Sequence, residues 1–506
     1  MKNLLLSVTA AVAAALMLAS CAAEPTASVT APATASVTAS ATAPAKSADE
    51  LVAEYRRLTD EKIAEIKAAQ APEIPEGATV YYVSPDGKAS SDGLSPETAW
   101  KKLGEKQLEK LKSGDFVLFQ RGSVYRGQIQ AVAGVTYSSY GEGAKPMIYG
   151  CTKNVGSPEY WRETDESGVW KLALTVQSDV GDIVFGGTET ARKLNFDYAS
   201  DGSATVHGTG APFADYRDLT EDMTFWHDPA TWALYLRCNA GNPGEIYGDI
   251  ELCPYAEGGL IKIKDADNVT VDGLVIKYTG GHGIGAGNVT GLTVRNCEFY
   301  FIGGASMHPE DKPAGRLGNG VEIFGDCDGY TVENCYFDNM YDTGATFQWT
   351  PVKADHPSNV MVNIVFRGNV MERCNYSIEY FQTVTDGSYI GNIVFEDNYC
   401  WYAGEGLCEQ RPDAGGEAHI KSWHSDCNTL NGYFEIRNNV FAYSKPYLVQ
   451  LNACEERYMP TLSGNVFIQA PGRPVVSWYG ERPITDEAEA KSAMGDDAAV
   501  IIIAER

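Results

Sequence analysis

Val271-Asp272-Gly273-Leu274-Val275-Ile276, Val294-Arg295-Asn296-Cys297-Glu298-Phe299 and Val332-Glu333-Asn334-Cys335-Tyr336-Phe337 share one pattern: apolar, variable, small or Asn, a fixed slot, variable, apolar. Four later stretches repeat it, beginning at Phe366, Phe395, Ile436 and Leu462. The shortest interval, Val271 to Val294, is 23 residues, and the longest, Phe395 to Ile436, is 41. A repeat this short buries its apolar face only by stacking on its neighbours. The pattern therefore predicts an all-β solenoid, a parallel β-helix, with coils at ~4.8 Å and loops of variable length.

The fixed slot holds Asn369, Asn398, Asn439 and Asn465 in the later coils. Stacked amides there satisfy one another along the axis, and a left-handed backbone is expected at the same residues. Cys297 and Cys335 take the slot earlier, as a buried thiol pair or a disulfide, since one coil spacing lies within bridging range. Of 12 cysteines, mostly buried thiols are expected.

Outward from the repeat, the chain opens with Lys2, an apolar run from Leu4 to Leu18, and Leu18-Ala19-Ser20-Cys21. The run is too short for a membrane span and reads as an export signal. The last four residues resemble the lipobox of bacterial lipoproteins, which implies a lipid on Cys21, an extracytoplasmic location at the cell surface, and membrane contact through that anchor alone. Residues 22–46 repeat small and hydroxylated residues with Pro and form a spacer. Ser47 and Glu50 make a capping box before Leu51, Tyr55, Leu58, Ile63 and Ile66 at helical spacing. That predicts a short amphipathic helix within 47–75, packed against the end of the solenoid over an open β edge. The 506 residues carry 40 Lys plus Arg against 67 Asp plus Glu, a net charge of −27. Such acidity argues against nucleic-acid partners; a monomer is expected.

Tyr81-Tyr82-Val83-Ser84-Pro85-Asp86-Gly87, Ser95-Pro96-Glu97-Thr98-Ala99-Trp100 and the run Gly114 to Gly122 resemble the N-terminal start of right-handed parallel β-helix proteins of the pectate-lyase-like superfamily. Residues 151–250 lose the repeat and gain alternating strands such as Thr224-Phe225-Trp226-His227. They read as an inserted antiparallel β subdomain, a feature of β-helix glycoside hydrolases resembling β-xylosidases. The expected order is signal peptide 1–21, spacer 22–46, helix 47–75, first coils 76–150, insert 151–250, coils 251–480 and a C-terminal cap 481–506.

In the strand closing each coil, Ile284, Val321, Ala345, Ile378, Ile420 and Val449 point inward by period two. Gly285, Glu322, Thr346, Glu379, Lys421 and Gln450 then form an outward column. In β-helix enzymes the resemblance makes such a strand the floor of a substrate groove. Glu322 and Glu379 lie two coils apart, ~9.6 Å between backbones, near the upper end of the ~6.5–9.5 Å of inverting glycosidases. Asp342 is a third candidate carboxylate, reaching the site only if the chain bends before Thr346. Phe324, Gln348, Phe381 and Trp423 follow the column by two residues; Trp349, Trp401, His424 and Arg411 fall on nearby loops, and His282 in a Gly-flanked bend. Gln348, Phe381, Trp423, His424, Arg411 and His282 are the candidate substrate contacts, with flat rings suited to sugar faces.

Three functions fit. A glycoside hydrolase acting on a polysaccharide or oligosaccharide uses Glu322, Glu379 and Asp342 and needs no cofactor or metal. A polysaccharide lyase uses Lys421 as base, with Ca²⁺ on Glu322, Asp342 and Glu379. A glycan-binding surface lipoprotein needs neither. No zinc spacing occurs among the seven histidines.

Overall fold

The computed structural model describes residues 46–309, 315–348, 360–381, 388–412, 415–422, 432–451, 459–478 and 482–506, without the side chains of 381 and 478. Cys21, Trp349, Trp423 and His424 lie outside them.

The repeated phrase stacks in register. Val271, Val294, Val332, Phe366, Phe395, Ile436 and Leu462 are successive partners in one parallel sheet. That sheet has 10 strands. A second face begins at the fixed slot and runs through Val275–Thr279, Glu298–Ile302, the first halves of Tyr336–Gln348 and Val370–Phe381, and Tyr399–Ala403. The third face contains Ile261–Lys264, Ile284–Gly287, Val321–Phe324, the second halves of the two long strands, Ala418–Ser422 and Val449–Leu451. Inward residues of all three faces form one core, in which Ile276, Phe299, Val321, Ala345, Ile378 and Ile420 are fully buried.

The amide ladder is present. Each of Asn369, Asn398 and Asn439 donates from Nδ2 to the Oδ1 of the next Asn at 3.0 Å. Each also donates to a backbone carbonyl of the preceding coil, at 2.9, 3.1 and 2.9 Å respectively. Asp496 ends the stack, its carboxylate accepting the Asn465 N–H at 3.4 Å. The left-handed position is one residue earlier than expected, at Asn296, Asn334, Asp397 and Asn438, with Gly368 and Gly464 in the other coils. That residue turns the chain, which frees the ladder residue to point its amide inward. All nine described cysteines, Cys297 and Cys335 among them, are buried free thiols.

The helix, Ala48–Ala68, closes its capping box through Ser47 and Glu50. It does not cover an end of the solenoid as expected; it lies lengthwise along the second face. Lys145 Nζ donates to the Ile66 carbonyl and Trp401 Nε1 to Thr59 Oγ1 at 2.9 Å, while Arg56 pairs with Glu372. Ala48, Leu51, Val52 and Tyr55 pack against a cluster containing Val466 and Ile502. Its 21 residues span about 31 Å at 1.5 Å each, or about six coils. Thr59→Val leaves the buried Trp401 N–H without an acceptor, so we expect a loss of about 1–3 kcal/mol in urea unfolding.

The insert leaves between Met147–Tyr149 of the second face and Ile261–Lys264 of the third. Its main sheet has seven strands, paired antiparallel except where Arg192 and Lys193 run parallel to Thr224 and Phe225. The hairpin Ala305–Ser306 with Arg316–Leu317, and the turn Gly406–Gln410, leave at the same bend in later coils. These excursions meet: Asn195 donates to the Gln410 carbonyl at 2.8 Å, and the Lys193 N–H donates to Gln410 Oε1 at 3.0 Å. Together they form a wall beside the third face.

Candidate functional site

The outward column forms as read. Gly285, Glu322, Thr346, Glu379, Lys421 and Gln450 are successive register partners. A solvated solenoid face would leave these side chains exposed, yet Glu322 is 7 % and Glu379 5 % accessible. Both carboxylates are therefore covered and individually hydrogen-bonded, as buried charge requires.

Glu322 pairs with His282 Nε2. The Asn319 backbone N–H donates to His282 Nδ1 at 3.2 Å, which in the neutral ring places the hydrogen on Nε2, facing Glu322. Burial lowers the His282 pKa, but the charges of Glu322 and Asp342 outweigh it and hold the imidazole above its ordinary value. The long contact from Asn319 opposes protonation too weakly to reverse this. A raised native pKa adds stability that is complete below the unfolded value of about 6.5 and disappears as pH rises through the native value. His282→Gln keeps a donor toward Glu322 without titrating. We expect urea unfolding between about pH 6 and pH 9 to show that stability loss in the parent and not in the variant.

Glu379 Oε2 accepts from Thr343 Oγ1 and from Gln348 Nε2, each at 3.0 Å. Both donors sit on the preceding coil, so the carboxylate leans toward Glu322. Asn319 Oδ1 accepts the Thr343 N–H at 3.0 Å, so His282, Asn319 and Thr343 link the two carboxylates in one hydrogen-bonded chain. These three residues precede Gly283, Gly320 and Gly344. The glycines are required by close stacking: a Cβ on Gly283 or Gly320 would lie 2.6 or 2.5 Å from the next coil's carbonyl. Asn319 and Thr343 were not singled out from the sequence. The repeated triplet polar-Gly-apolar, His282-Gly283-Ile284, Asn319-Gly320-Val321 and Thr343-Gly344-Ala345, was the available signal.

The chain does bend before Thr346. The register shifts between Met340 and Thr343, and Asp342 sits in that shift. Arg411 Nη1 donates to Asp342 Oδ1 at 2.9 Å, and its guanidinium lies 5.2 Å from the Tyr341 ring centre. Arg411, a candidate substrate contact, holds Asp342 through this bond. Lys421 is buried, donates to Gln450 Oε1, and lies 5.8 Å from the Tyr376 ring centre. Trp401 is not at the groove but lies beneath the N-terminal helix. The Phe381 backbone pairs with Gln348. Glu322, Asp342 and Glu379 each have their own protein partner, and among the described residues no three acidic, His or Cys groups converge on a metal position.

A cavity of 490 Å³ opens over the start of this column, lined by Tyr255, Lys262, His282, Glu322, Phe324 and Gln348 among others. Phe324 and Met307, both lining it, are 41 % and 48 % exposed and present apolar surface to solvent. A second cavity of 570 Å³ at the foot of the insert shares Tyr255 and Glu257 with it, and Glu257 is the sole carboxylate among its described lining residues.

The fold defined here is the right-handed parallel β-helix. The family model described as a right handed beta helix region matches residues 249–409. No curated protein matches the sequence. Among solved structures, one titled a glycoside hydrolase is 10 % identical with a TM-score of 0.42, covering 84 % of this chain and 96 % of its own. The structure of XylC with xylose is 12 % identical, TM-score 0.42, covering 79 % and 69 %. The GH136 lacto-N-biosidase from Eubacterium ramulus is 14 % identical, TM-score 0.36, covering 90 % and 71 %. Likeness at these levels says nothing of chemistry.

Proposed function

We propose that the protein is a carbohydrate-active enzyme, a glycoside hydrolase, held at the extracytoplasmic membrane face by a lipid on Cys21. The observation that carries the reading is the pair Glu322 and Glu379: same column, two coils apart, buried, and joined through His282, Asn319 and Thr343. Hydrolysis of a glycosidic bond needs two carboxylates on opposite sides of that bond. Glu322, paired with His282, takes the part of base toward water; Glu379, which accepts from Thr343 and Gln348, takes that of acid toward the leaving oxygen. The backbone separation of ~9.6 Å, shortened by the lean of Glu379, fits inversion. Phe324 and Met307 offer the apolar face on which a sugar ring packs.

The lyase reading draws on Lys421, buried next to Glu379 in the same column. It is the weaker reading, because Lys421 Nζ is engaged by Gln450 and the three carboxylates do not form a joint ligand set.

The test incubates the intact chain with neutral and acidic glycans, with and without chelator. New reducing ends of inverted anomeric configuration by NMR are expected. Retained configuration overturns the Glu322–Glu379 pairing and makes Asp342 the second carboxylate. Unsaturated uronate products overturn hydrolysis, and binding without any product overturns catalysis.

A further inference from the structure

Between the insert and the solenoid lies a small polar-floored pocket that neither carboxylate of the groove lines. Asp179, Lys193, Asn195 and His227 line it, with Trp226, Phe196, Tyr198 and two prolines around them. Asp179 is held on three sides: Lys193 Nζ pairs with it, the Ser306 N–H donates to it at 2.7 Å, and His227 Nδ1 stands 3.5 Å away. The Val180 N–H lies 3.3 Å from His227 Nδ1, on the same nitrogen that faces Asp179, so Nε2 is the ring nitrogen left to bond a further group. His227 is 4 % exposed, and its Nε2 is buried with no hydrogen-bond partner. A buried polar nitrogen without a partner costs about 1–3 kcal/mol, and the cavity beside it, 30 Å³, has room for one oxygen-sized group.

We propose that this pocket is an accessory glycan-binding site, in which one hydroxyl of a neutral sugar hydrogen-bonds to His227 Nε2 while the sugar ring rests on the aromatic rim. The floor pairs the Lys193 ammonium with the Asp179 carboxylate beside an imidazole, so it offers both donors and acceptors. A hydroxyl, which is both donor and acceptor, matches that floor; a free anion or cation does not. Tyr198 is 53 % exposed and stands at the mouth, supplying the flat apolar surface that sugar C–H faces pack on. The site adjoins the groove wall. Asn195 also accepts from Arg316, whose guanidinium lies 4.6 Å from the Tyr341 ring centre, beside Asp342. A glycan longer than the groove is thus held a second time, and the inference does not depend on hydrolysis taking place.

The test titrates the intact chain with xylobiose, cellobiose and lactose, followed by saturation-transfer NMR. Millimolar binding is expected to persist in Phe324→Ala, where the groove loses its platform. It is expected to weaken ~10-fold, the worth of one good contact, in Tyr198→Ala and in Lys193→Met. Tyr198 is exposed enough for its variant to fold, so that variant decides the matter if Lys193→Met does not. Binding unchanged by Tyr198→Ala, or weakened only by Phe324→Ala, overturns the site. So does the absence of binding by all three sugars, which leaves a bound water as the partner of His227.

Discussion

Glu379→Gln is expected to lower kcat on a hydrolysed glycan by about 10³-fold, the share that a positioned proton donor contributes, with KM changed only a few-fold. Gln presents a carbonyl oxygen where Glu379 Oε2 accepts from Thr343 Oγ1 and Gln348 Nε2. The side chain therefore stays seated and the substrate still binds, while the transferable proton is gone. Thr343→Val removes one of the two donors and keeps the carboxylate. We expect it to cost about tenfold in kcat and to displace the pH–rate profile, because it alters how Glu379 holds its proton rather than whether it has one. Steady-state kinetics with anomer analysis read both. A Glu379→Gln variant with full turnover removes Glu379 from the chemistry.

The second large effect concerns stability. Asn398 accepts from the Asn369 backbone N–H and Nδ2, and donates to the Phe366 carbonyl and to Asn439 Oδ1. All of these groups lie where water does not reach. Asn398→Ala orphans several at once, and we expect a loss of about 3–4 kcal/mol in urea unfolding. Asn398→Asp tests the direction of the bonds. A carboxylate accepts from Asn369 but has nothing to donate to Phe366 or Asn439, so it is expected to be at least as damaging as Ala. An Asp variant as stable as the parent shows that the amide donors do not matter.

What was legible in the sequence follows the periodicity. Period two along a strand put Ile284, Val321 and Ile378 inside and Glu322 and Glu379 outside, and the repeat interval put them in register; a slip of one residue would have exchanged the faces. At the bends that period fails. His282, Asn319 and Thr343 precede their column residues by three, so a strand pattern does not select them, although their following glycines mark the place. The left-handed slot was misplaced by one residue because Asn occurs both at the turn and at the ladder, as in Asn438-Asn439. The amphipathic stripe of Ala48–Ala68 showed that one face is buried but not which surface buries it. The meeting of Asn195, Arg316 and Gln410 belongs to excursions outside the repeat, with separations of more than 90 residues in sequence, and no local pattern encodes it.

In a stacked coil each turn needs only its neighbours, so most of this chain can gain structure progressively as it is made. The helix along the second face is the exception. Leu51 and Val52 rest in the same cluster as Ile502 and Ala504, so the earliest part of the folded body to emerge completes its seat only after the last strand is laid down. Closing so long a loop adds little entropic penalty beyond a shorter one, but it imposes an order of events. Until the C-terminus arrives, the first turns of the helix lack part of their seat, although its later turns already rest on Lys145, Glu372 and Trp401. Completing that seat reports that the whole body is finished, and a chain truncated by its final strand would leave it permanently incomplete.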